Sequence, residues 1–376
     1  MKEGWTYKKF ADCIDKIPKQ RQVKSKDYKS TGLYPIVSQE KELISGYWDD
    51  ESYLYKHSKP IIIFGDHTKV VKYVDFDFVV GADGTQILSP KSDVDAKFFY
   101  YTLLATPIRT LGYARHIKLL KERSFKFPSL SEQQRIVSRL DSAFAHIDEL
   151  KANAEKQLSE ARALFQKALT KAMEPKEGWE ERNLGDVAAI FSGYAFKSSV
   201  FQKEGKYQVL RIGNIKQNNL RLSDNAVFID DLDSGVLNKS LLKEGDLVVT
   251  QTGTRHKRDY GFVAMVEKDN LLLNQRNACV RFRNKLSAQF FLYYSYTDLY
   301  KDSFFANEGG TVGQGNVGLS ALKEMKYYTP PLSEQQRIVS RLDSLSAHVR
   351  ELEEVLQKTI AECDALKQAL LRQVFE

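Results

Sequence analysis

Histidine and cysteine side chains are the first candidates for metal binding or nucleophilic catalysis, and this chain of 376 residues has few of them. They are scattered, without the short spacings that group zinc ligands. The set comprises His57, His67, His116, His146, His256 and His348, with Cys13, Cys279 and Cys363. We therefore expect no metal centre, and the scattered cysteines are typical of a reducing compartment such as the cytoplasm.

Three further motifs could carry enzyme chemistry. Glu204-Gly205-Lys206 has the E-x-K spacing of many nucleases, but no aspartate is suitably placed before it, so a turn explains it better. Phe191-Ser192-Gly193 faintly resembles a cofactor loop of methyltransferases, yet the sequence has no Asn-Pro-Pro-aromatic motif to grip an adenine. The glycine-rich segment 309–313 lacks the lysine and the strand-to-helix context of a phosphate loop. We expect no catalytic residue and no cofactor in this chain.

The sequence does offer hydrogen-bonding side chains beside glycines and at the ends of apolar runs. In the second half of the chain, residues 251–258 follow the apolar run Leu247–Thr250, and residues 274–277 precede another. Arginine can hold guanine with two hydrogen bonds, and asparagine or glutamine can hold adenine in the same way. The candidates for DNA contacts are Gln251, Thr252, Thr254, Arg255, Lys257, Arg258, Asn274, Gln275 and Arg276.

Comparable loops occur in the first half of the chain, at residues 19–22, 66–69, 83–86 and 115–116. Each loop alone could equally be an ordinary polar surface turn, so the prediction rests on the set. The candidates are Lys19, Arg21, His67, Thr68, Lys69, Thr85, Gln86 and Arg115.

Short β-branched and aromatic runs must position these loops. The runs occur in matching pairs, one in each half of the chain, and are bounded by Gly, Asp, Asn and Pro. They predict strands and buried helix segments of one α/β fold that is present twice. The pairs are 34–37 with 207–210, 61–64 with 247–250, and 98–101 with 290–294.

An internal repeat supports the doubling. The thirteen residues LSEQQRIVSRLDS occur at 130–142 and again, unchanged, at 332–344, which is a shift of 202 positions. The shorter sequence KEGW occurs at 2–5 and at 176–179, a shift of 174, so the intervening segment is 28 residues longer in the second copy. The two short sequences therefore repeat, while the segments between them differ in length and sequence.

Each repeated block should begin a long helix. A proline precedes it, and Ser131 with Gln134, like Ser333 with Gln336, has the S-x-x-Q spacing of a reciprocal helix cap. Apolar residues then alternate in steps of four and three, which is the pattern of a coiled-coil seam. The seam positions are Ile136, Leu140, Ala143, Ile147, Leu150, Ala154, Gln157, Ala161, Leu164 and Ala168, then Ile338, Leu342, Leu345, Val349, Leu352, Leu356, Thr359, Cys363, Leu366 and Leu370.

The two helices are predicted to pair with each other in antiparallel fashion. The second globular segment begins soon after the first helix ends, so the second helix must run back. The fold class is therefore α/β, with two globular domains, each followed by a long helix, and with pseudo-two-fold symmetry. The alternative is a pair of independent amphipathic helices, each on its own globular core.

The positive charge lies in the globular segments. The net charge is +7. Lys and Arg outnumber Asp and Glu by 22 to 16 over residues 1–128 and by 21 to 18 over residues 175–331. The helical segments 129–174 and 332–376 have 7 against 7 and 6 against 8. This distribution allows a polyanionic partner for the globular segments. The sequence has no apolar run long enough to span a membrane.

The arrangement resembles the specificity subunit of type I restriction-modification systems over essentially the whole chain. The resemblance is carried by the Pro-x-Leu-Ser-Glu-Gln-Gln-Arg-Ile blocks at 128–136 and 330–338 and by the motif GDLVVT at 245–250. It implies two target-recognition domains, 1–128 and 175–331, each reading half of a split DNA site. The central and distal helical spacers, 129–174 and 332–376, would set the distance between the halves.

The resemblance also implies partners. Two methyltransferase subunits and the restriction subunits would supply methylation, translocation and cleavage, using S-adenosylmethionine, ATP and Mg²⁺. Val137, Phe144 and Val339 lie on the helices outside the seam and are candidates for contact with a partner, although packing against the chain's own domain explains them equally well. The rival functions are a coiled-coil adaptor with protein-binding ends and an autonomous endonuclease.

Overall fold

The computed structural model describes residues 4–112 and 114–375. Lys2 and Glu3 of the first KEGW sequence lie outside the described residues. The chain divides into two compact units, Met1–Gln157 with Val355–Glu376 and, separately, Leu158–Glu354. Each of the two longest helices contributes one part to each unit.

The first unit contains eleven short strands and three short helices among the described residues, followed by the first long helix, α4. The strands are β1 Thr6–Lys9, β2 Ile14–Asp15, β3 Gln22–Val23, β4 Tyr34–Val37, β5 Gly46–Trp48, β6 Leu54–Tyr55, β7 Ile61–Gly65, β8 Val71–Val74, β9 Phe78–Gly81, β10 Thr85–Pro90 and β11 Ser124–Phe127. The helices are α1 Phe10–Cys13, α2 Ala96–Ala105, α3 Ile117–Lys121 and α4 Leu130–Ala172.

The second unit follows the same plan, and the last helix, α10, returns to the first unit at Val355. The strands are β12 Glu180–Asn183, β13 Ala188–Ser192, β14 Tyr207–Leu210, β15 Ile215–Lys216, β16 Asn219–Leu220, β17 Phe228–Ile229, β18 Leu247–Thr250, β19 Thr252–Thr254, β20 Val263–Met265, β21 Leu271–Leu273, β22 Asn277–Phe282, β23 Gly309–Gly310, β24 Gln314–Asn316 and β25 Lys326–Thr329. The helices are α5 Leu184–Val187, α6 Ser234–Ser240, α7 Lys285–Tyr294, α8 Asp298–Phe305, α9 Leu319–Glu324 and α10 Leu332–Phe375.

The two units share three of their strand arrangements. An antiparallel sheet has the strand order β2-β10-β7-β8 in the first unit and β13-β22-β18-β20 in the second. A second sheet pairs β4 with β9, and correspondingly β14 with β21, in parallel. A terminal ladder joins β1 to β11 and β12 to β25. The predicted α/β fold, present twice, is confirmed.

Every residue of β7 and β18 is buried, and successive side chains pack on opposite faces of the sheet. Ile62 and Phe64 contact the core around α2, whereas Ile61 and Ile63 face the second sheet. In β18, Leu247 and Val249 pack in one hydrophobic cluster and Val248 packs in another, because successive side chains of a strand point to opposite faces. Apolar residues on both faces make these strands the centre of each unit, and their ends are therefore fixed in position.

The predicted serine-glutamine caps are wrong. The long helices begin at Leu130 and Leu332, one residue before each serine, so the serines lie within the first turn. The buried Gln133 holds the helix start instead, because its amide donates to Pro128 O at 3.0 Å and accepts from Asp95 N at 2.8 Å. Gln335 likewise donates to Pro330 O at 2.9 Å. The cap depends on where the domain meets the helix, which local spacing does not reveal.

Antiparallel pairing of the long helices is confirmed within each unit. In the first, Lys151 Nζ lies 2.7 Å from Asp364 Oδ1. In the second, Arg162 Nε lies 2.6 Å from Glu353 Oε1. Within the first unit, Lys367 also pairs with Asp148. A step of three residues forward on α4 therefore corresponds to a step of three residues backward on α10.

The seam is narrower than the heptad pattern predicts. Every seventh position is buried on α4, from Leu140 to Ala161, and Cys363 is a buried free thiol of the same seam on α10. The other predicted row is largely open. The exposed leucines of that row are Leu150, Leu164, Leu352 and Leu366.

None of the described helices combines the length and the apolar character that a membrane span needs.

Candidate nucleic-acid interface

A buried aspartate gathers three predicted loops of the first unit at one end of its antiparallel sheet. Asp66 follows β7 directly and is fully buried. Its main-chain N–H donates to Gly84 O at 2.8 Å, and its carboxylate accepts from Ile117 N at 2.8 Å and from Gln86 Nε2 at 3.4 Å. The loops at 66–69, 83–86 and 115–117 therefore form one assembly.

His116 completes that assembly from inside. Its imidazole is fully buried, with Nδ1 donating to Asp66 O over 2.7 Å and Nε2 accepting from Leu111 N over 3.0 Å. These two bonds use both ring nitrogens and fix one tautomer. The histidine therefore has a structural role, since it links two loops. The neighbouring Arg115 side chain is exposed at the surface.

Four predicted DNA-contact residues of the first unit line one cleft of about 380 Å³, namely Lys19, Thr85, Gln86 and Arg115. Lys19 is exposed and its ammonium has no ion pair with another described residue. The Arg115 Nε lies 3.9 Å from Asp66 Oδ2 while three quarters of its side chain stays exposed. Thr85 is buried and donates to Gly81 O, so its hydroxyl is already used within the protein.

The remaining candidates of the first unit do not line this cleft. The Arg21 guanidinium lies over the Tyr53 ring, 5.6 Å from its centroid. Lys69 has a left-handed backbone and donates to Thr110 Oγ1 at 2.7 Å. His67 and Thr68 are held against Gln39, through His67 N at 3.1 Å from Gln39 Oε1 and Thr68 Oγ1 at 2.6 Å from Gln39 O.

The corresponding end of the second unit's sheet gathers a different set of side chains. Gln251 N donates to Arg276 O at 2.9 Å, which joins the loop after β18 to the loop before β22. Gln275 N donates to Tyr194 O at 2.9 Å, which adds the loop after β13. Gly193 is required there, because a Cβ atom would lie 2.1 Å from Asn274 O.

These candidates differ in what they leave available. Arg276 is exposed, has a φ of +70°, and its guanidinium makes no hydrogen bond or ion pair with another described residue. The Gln251 side chain is buried and donates to Val317 O at 3.0 Å. Asn274 Oδ1 accepts from Gln275 N at 2.9 Å. Arg276 and Gln275 are therefore the most accessible of the group.

A basic loop, residues 255–258, adjoins this edge. Arg255 Nε lies 3.6 Å from Glu308 Oε2, and the Arg258 guanidinium lies 4.7 Å from the Phe305 ring centroid. Lys257 is exposed. The loop closes through Thr254, whose Oγ1 donates to Asp259 Oδ2 at 3.2 Å, and the hydrogen bond from Thr254 N lowers the pKa of Asp259. Thr252 and Thr254 lie in β19.

Sequence reasoning missed two features of this edge. Tyr194 is 43% exposed beside Gln275, and an exposed aromatic ring is a surface on which bases can stack. Residues 309–316 form a hairpin of β23 and β24 that pairs with β19. Its four glycines gave no strand signal, although Gln314 and Asn316 alternate with a buried glycine as strand residues do.

The three helix residues predicted to contact a partner pack within their own units. Val339 is 2% exposed and belongs to the core of the second unit, so it offers no free surface. Phe144 packs edge-on against Tyr101 at 5.3 Å between ring centroids, and Val137 joins the same cluster. The alternative interpretation, packing against the chain's own domain, fits these positions.

Among the described residues, no group of three or more His, Cys, Asp or Glu side chains could hold a metal ion. The E-x-K motif lies in a turn, where Lys206 N donates to Asp230 Oδ1 at 2.6 Å. What the two edges can do is present hydrogen-bond donors, acceptors and positive charge to an extended polyanion.

Comparison with known families accounts for the doubled architecture. The chain matches the model of the type I restriction modification DNA specificity domain twice, over residues 2–160 and 176–362. The chain belongs to this family. The resemblance inferred from the repeated block is confirmed, and the two matches correspond to the internal repeat.

Curated relatives bear the same description. The StySPI specificity subunit of Salmonella potsdam is 25% identical over 315 residues, which cover 74% of this chain and 64% of that protein. The EcoKI specificity subunit of Escherichia coli K12 is 24% identical over 307 residues, again covering 74% and 64%. The match thus spans a little under two thirds of these relatives' length.

Solved structures share the fold. A chain from a study of complex assembly and conformational transition in the type I R-M system superposes with a TM-score of 0.73 at 18% identity, covering 100% of this chain and 98% of the other. The HsdS subunit of Thermoanaerobacter tengcongensis gives a TM-score of 0.55 at 18% identity, with 99% and 97% coverage.

Proposed function

We propose that this chain is the sequence-specific DNA-binding subunit of a type I restriction-modification complex. The observation that carries the proposal is that the same end of the same sheet in each unit presents loops whose main-chain scaffold matches and whose side chains differ. In the first unit the edge offers Lys19, Gln86 and Arg115; in the second it offers Gln275 and Arg276. Each unit would read its own half of a bipartite, asymmetric site.

Charge and side-chain chemistry support DNA as the ligand. The excess of Lys and Arg is confined to the two globular segments. Basic side chains beside the reading edge, including Lys257, would neutralise phosphates and position the unit, while arginine and glutamine would distinguish base pairs in the major groove. We propose double-stranded DNA as the ligand.

The paired helices would set the length of DNA between the two half-sites. Their salt bridges fix an antiparallel register within each unit, and the helices bear no excess positive charge of their own. A nearly neutral helical connection suits a stretch of DNA whose length is set but whose sequence is not recognised.

We further propose that two methyltransferase subunits dock on the helices, at sites other than Val137, Phe144 and Val339. In the first unit Leu150 and Leu366 are 54% and 49% exposed, and the register places them across the seam from each other. In the second unit Leu164 and Leu352, at 67% and 41%, occupy the equivalent positions. Each unit would offer one leucine pair to one partner subunit.

In this proposal the chain itself is non-catalytic. Methyl transfer from S-adenosylmethionine would be carried out by the methyltransferase subunits, and ATP- and Mg²⁺-dependent translocation and cleavage by the restriction subunits. The names of the relatives, which are specificity subunits, support this division.

Domain exchange tests the proposal. Residues 6–127 are replaced by the matching segment of another family member, and modified adenines are mapped in a host genome with the native chain, with the exchanged chain and without either. We expect only one half of the modified sequence to change. A change in both halves, or in neither, would contradict the modular function, and adenine modification that persists without the chain would contradict its role altogether.

A further inference from the structure

The hairpin at residues 309–316 has the most exposed large apolar side chain among those described. Val312 lies at its tip and is 85% exposed. The turn is closed by a hydrogen bond from Thr311 N to Gln314 O at 2.9 Å. A valine held in water at a closed turn adds nothing to the core of its own unit.

The hairpin is held rigidly by its base. Gly310 has a φ of +108°, and a Cβ atom there would lie 2.1 Å from Gln314 O. A Cβ atom at Gly315 would lie 2.3 Å from the Tyr260 hydroxyl oxygen and 2.4 Å from Glu308 Oε1. Tyr260 donates to Glu308, which also pairs with Arg255. The glycines therefore allow close packing, and the tip position follows from it.

The register places the tip beside the basic loop. Thr254 pairs with Gln314, so residues 255–258 leave β19 at the same end at which residues 311–313 enter β24. Lys257 and Arg258 are both exposed there. The valine is thus flanked by positive charge, which favours a polyanion over an apolar protein surface as its partner.

The hairpin also carries amides suited to bases. Gln314 and Asn316 are exposed on one face of β24, and their side chains make no hydrogen bond to another described residue. Glutamine and asparagine pair with adenine in the major groove, where the apolar feature is the thymine methyl group. The turn at residues 311–313 is the part of the hairpin that extends beyond the three-stranded sheet β19-β24-β23, so the turn can approach base edges in that groove.

We propose that the hairpin 309–316 enters the major groove of the half-site read by the second unit, with Val312 against a thymine methyl and Gln314 or Asn316 on a nearby adenine. The inference rests on the proposed function and names a specificity element within it. Gln314 lies two positions from Val312, roughly 7 Å along a strand, and Asn316 lies four positions from it, roughly 13 Å, so the adenine is expected about two base-pair steps from the thymine if Gln314 contacts it and about four if Asn316 does.

Thymine-to-uracil scanning tests this contact, because uracil lacks only the methyl group. Duplexes containing the mapped site carry uracil at one thymine at a time, and their affinities for the full native chain are measured. At one thymine of the second half-site we expect a loss of roughly fourfold, the effect of one buried methyl group. Val312→Ser should abolish that sensitivity, while Val312→Thr should retain part of it.

Val355→Ala is the control, since Val355 is an exposed valine on α10 at 57%. It should keep the native response to uracil. The inference is overturned if no thymine of the half-site is sensitive, or if Val312→Ser responds as the native chain does. Failure of the native chain to bind the mapped duplex would instead overturn the proposed function, and this inference with it.

Discussion

The Asp246 carboxylate accepts two hydrogen bonds from the Arg281 guanidinium, at 2.7 Å from Nε and 2.6 Å from Nη2. Asp246 is 2% exposed and also accepts from Lys243 N at 2.8 Å. The pair joins the start of β18 to the end of β22, at the opposite end of the sheet from the loops that we propose contact DNA. This ion pair gives the GDLVVT motif a physical explanation. The aspartate fixes the start of β18, and the apolar residues that follow it are buried in the core.

Removing this carboxylate should destabilise the protein. We expect Asp246→Ala to lower the free energy of unfolding by roughly 2–4 kcal/mol, since the half-buried Arg281 guanidinium loses its bidentate partner and Lys243 N loses its acceptor. Glu244→Ala is the matched control, because Glu244 pairs with Lys285 on the surface at 3.7 Å and its loss should cost under about 1 kcal/mol. Denaturant unfolding measures both, and equal effects would contradict the assignment.

The narrow seam predicts opposite outcomes for two leucines of α10. Leu356→Lys should lower the free energy of unfolding by roughly 2–4 kcal/mol, because Leu356 is buried and a charge there lacks a partner. Leu352→Lys should stay within about 1 kcal/mol of the native chain, since this side chain is already in contact with water. Thermal and denaturant unfolding measure the stability of the two variants. A larger loss of stability in Leu352→Lys than in Leu356→Lys would contradict the proposed single buried row.

Arg276 should contribute to binding at one half-site only. We expect Arg276→Ala to weaken binding through the second unit's half-site by roughly fivefold to a hundredfold, because its guanidinium has no partner among the described residues and lies on the edge proposed to contact DNA. Arg283→Ala removes the same charge beyond the other end of β22 and serves as control. Titrations against duplexes with one half-site scrambled separate the effects. A response shared by both half-sites, or by both variants, would argue against base contact.

Buried tyrosines predict a loss of stability at high pH. Burial raises the pKa values of Tyr294, Tyr300 and Tyr327 above the ordinary value of 10.0. Above pH 10 the folded chain therefore holds more protons than the unfolded chain, and the free energy of unfolding falls as pH rises. Their stabilising effect is fully present below about pH 10.

Unfolding by denaturant at a series of pH values, followed with tyrosinate absorbance, checks this prediction. Tyr327→Phe should lessen the decline without loss of stability at neutral pH, since the Tyr327 hydroxyl has no hydrogen-bond partner among the described residues. A free energy of unfolding that stays constant from about pH 8 to pH 11 would contradict the raised pKa values.

Much of the fold was predictable because the same sequence pattern occurs twice in the chain. Apolar runs matched across the repeat, such as 61–64 with Leu247–Thr250, identified the central strands, whose burial on both faces needs no knowledge of the rest. Because each of these strands has neighbours in its own sheet, the loops at the strand ends lie together at one end of that sheet. The long helices and their antiparallel direction followed from heptads and chain connectivity, because both depend on local spacing and on length.

Other features depend on contacts that local sequence does not encode. The hairpin at 309–316 exists because β24 pairs with β19, and glycine has little strand propensity of its own. The helix starts are held by Gln133 and Gln335, because the preceding domain supplies their partners. Whether a loop residue such as Gln251 faces water or the core is decided by a distant segment, here Val317.

The bonds of Gln133 have a consequence for how such chains diversify. Its amide contacts Pro128 O, Asp95 N and Asp93 O, which are all main-chain atoms. A joint of this kind does not depend on the side chains of the preceding domain. The three hydrogen bonds of Gln133 can therefore persist when the side chains at Asp93, Asp95 and Pro128 change, as far as the main chain there keeps its course.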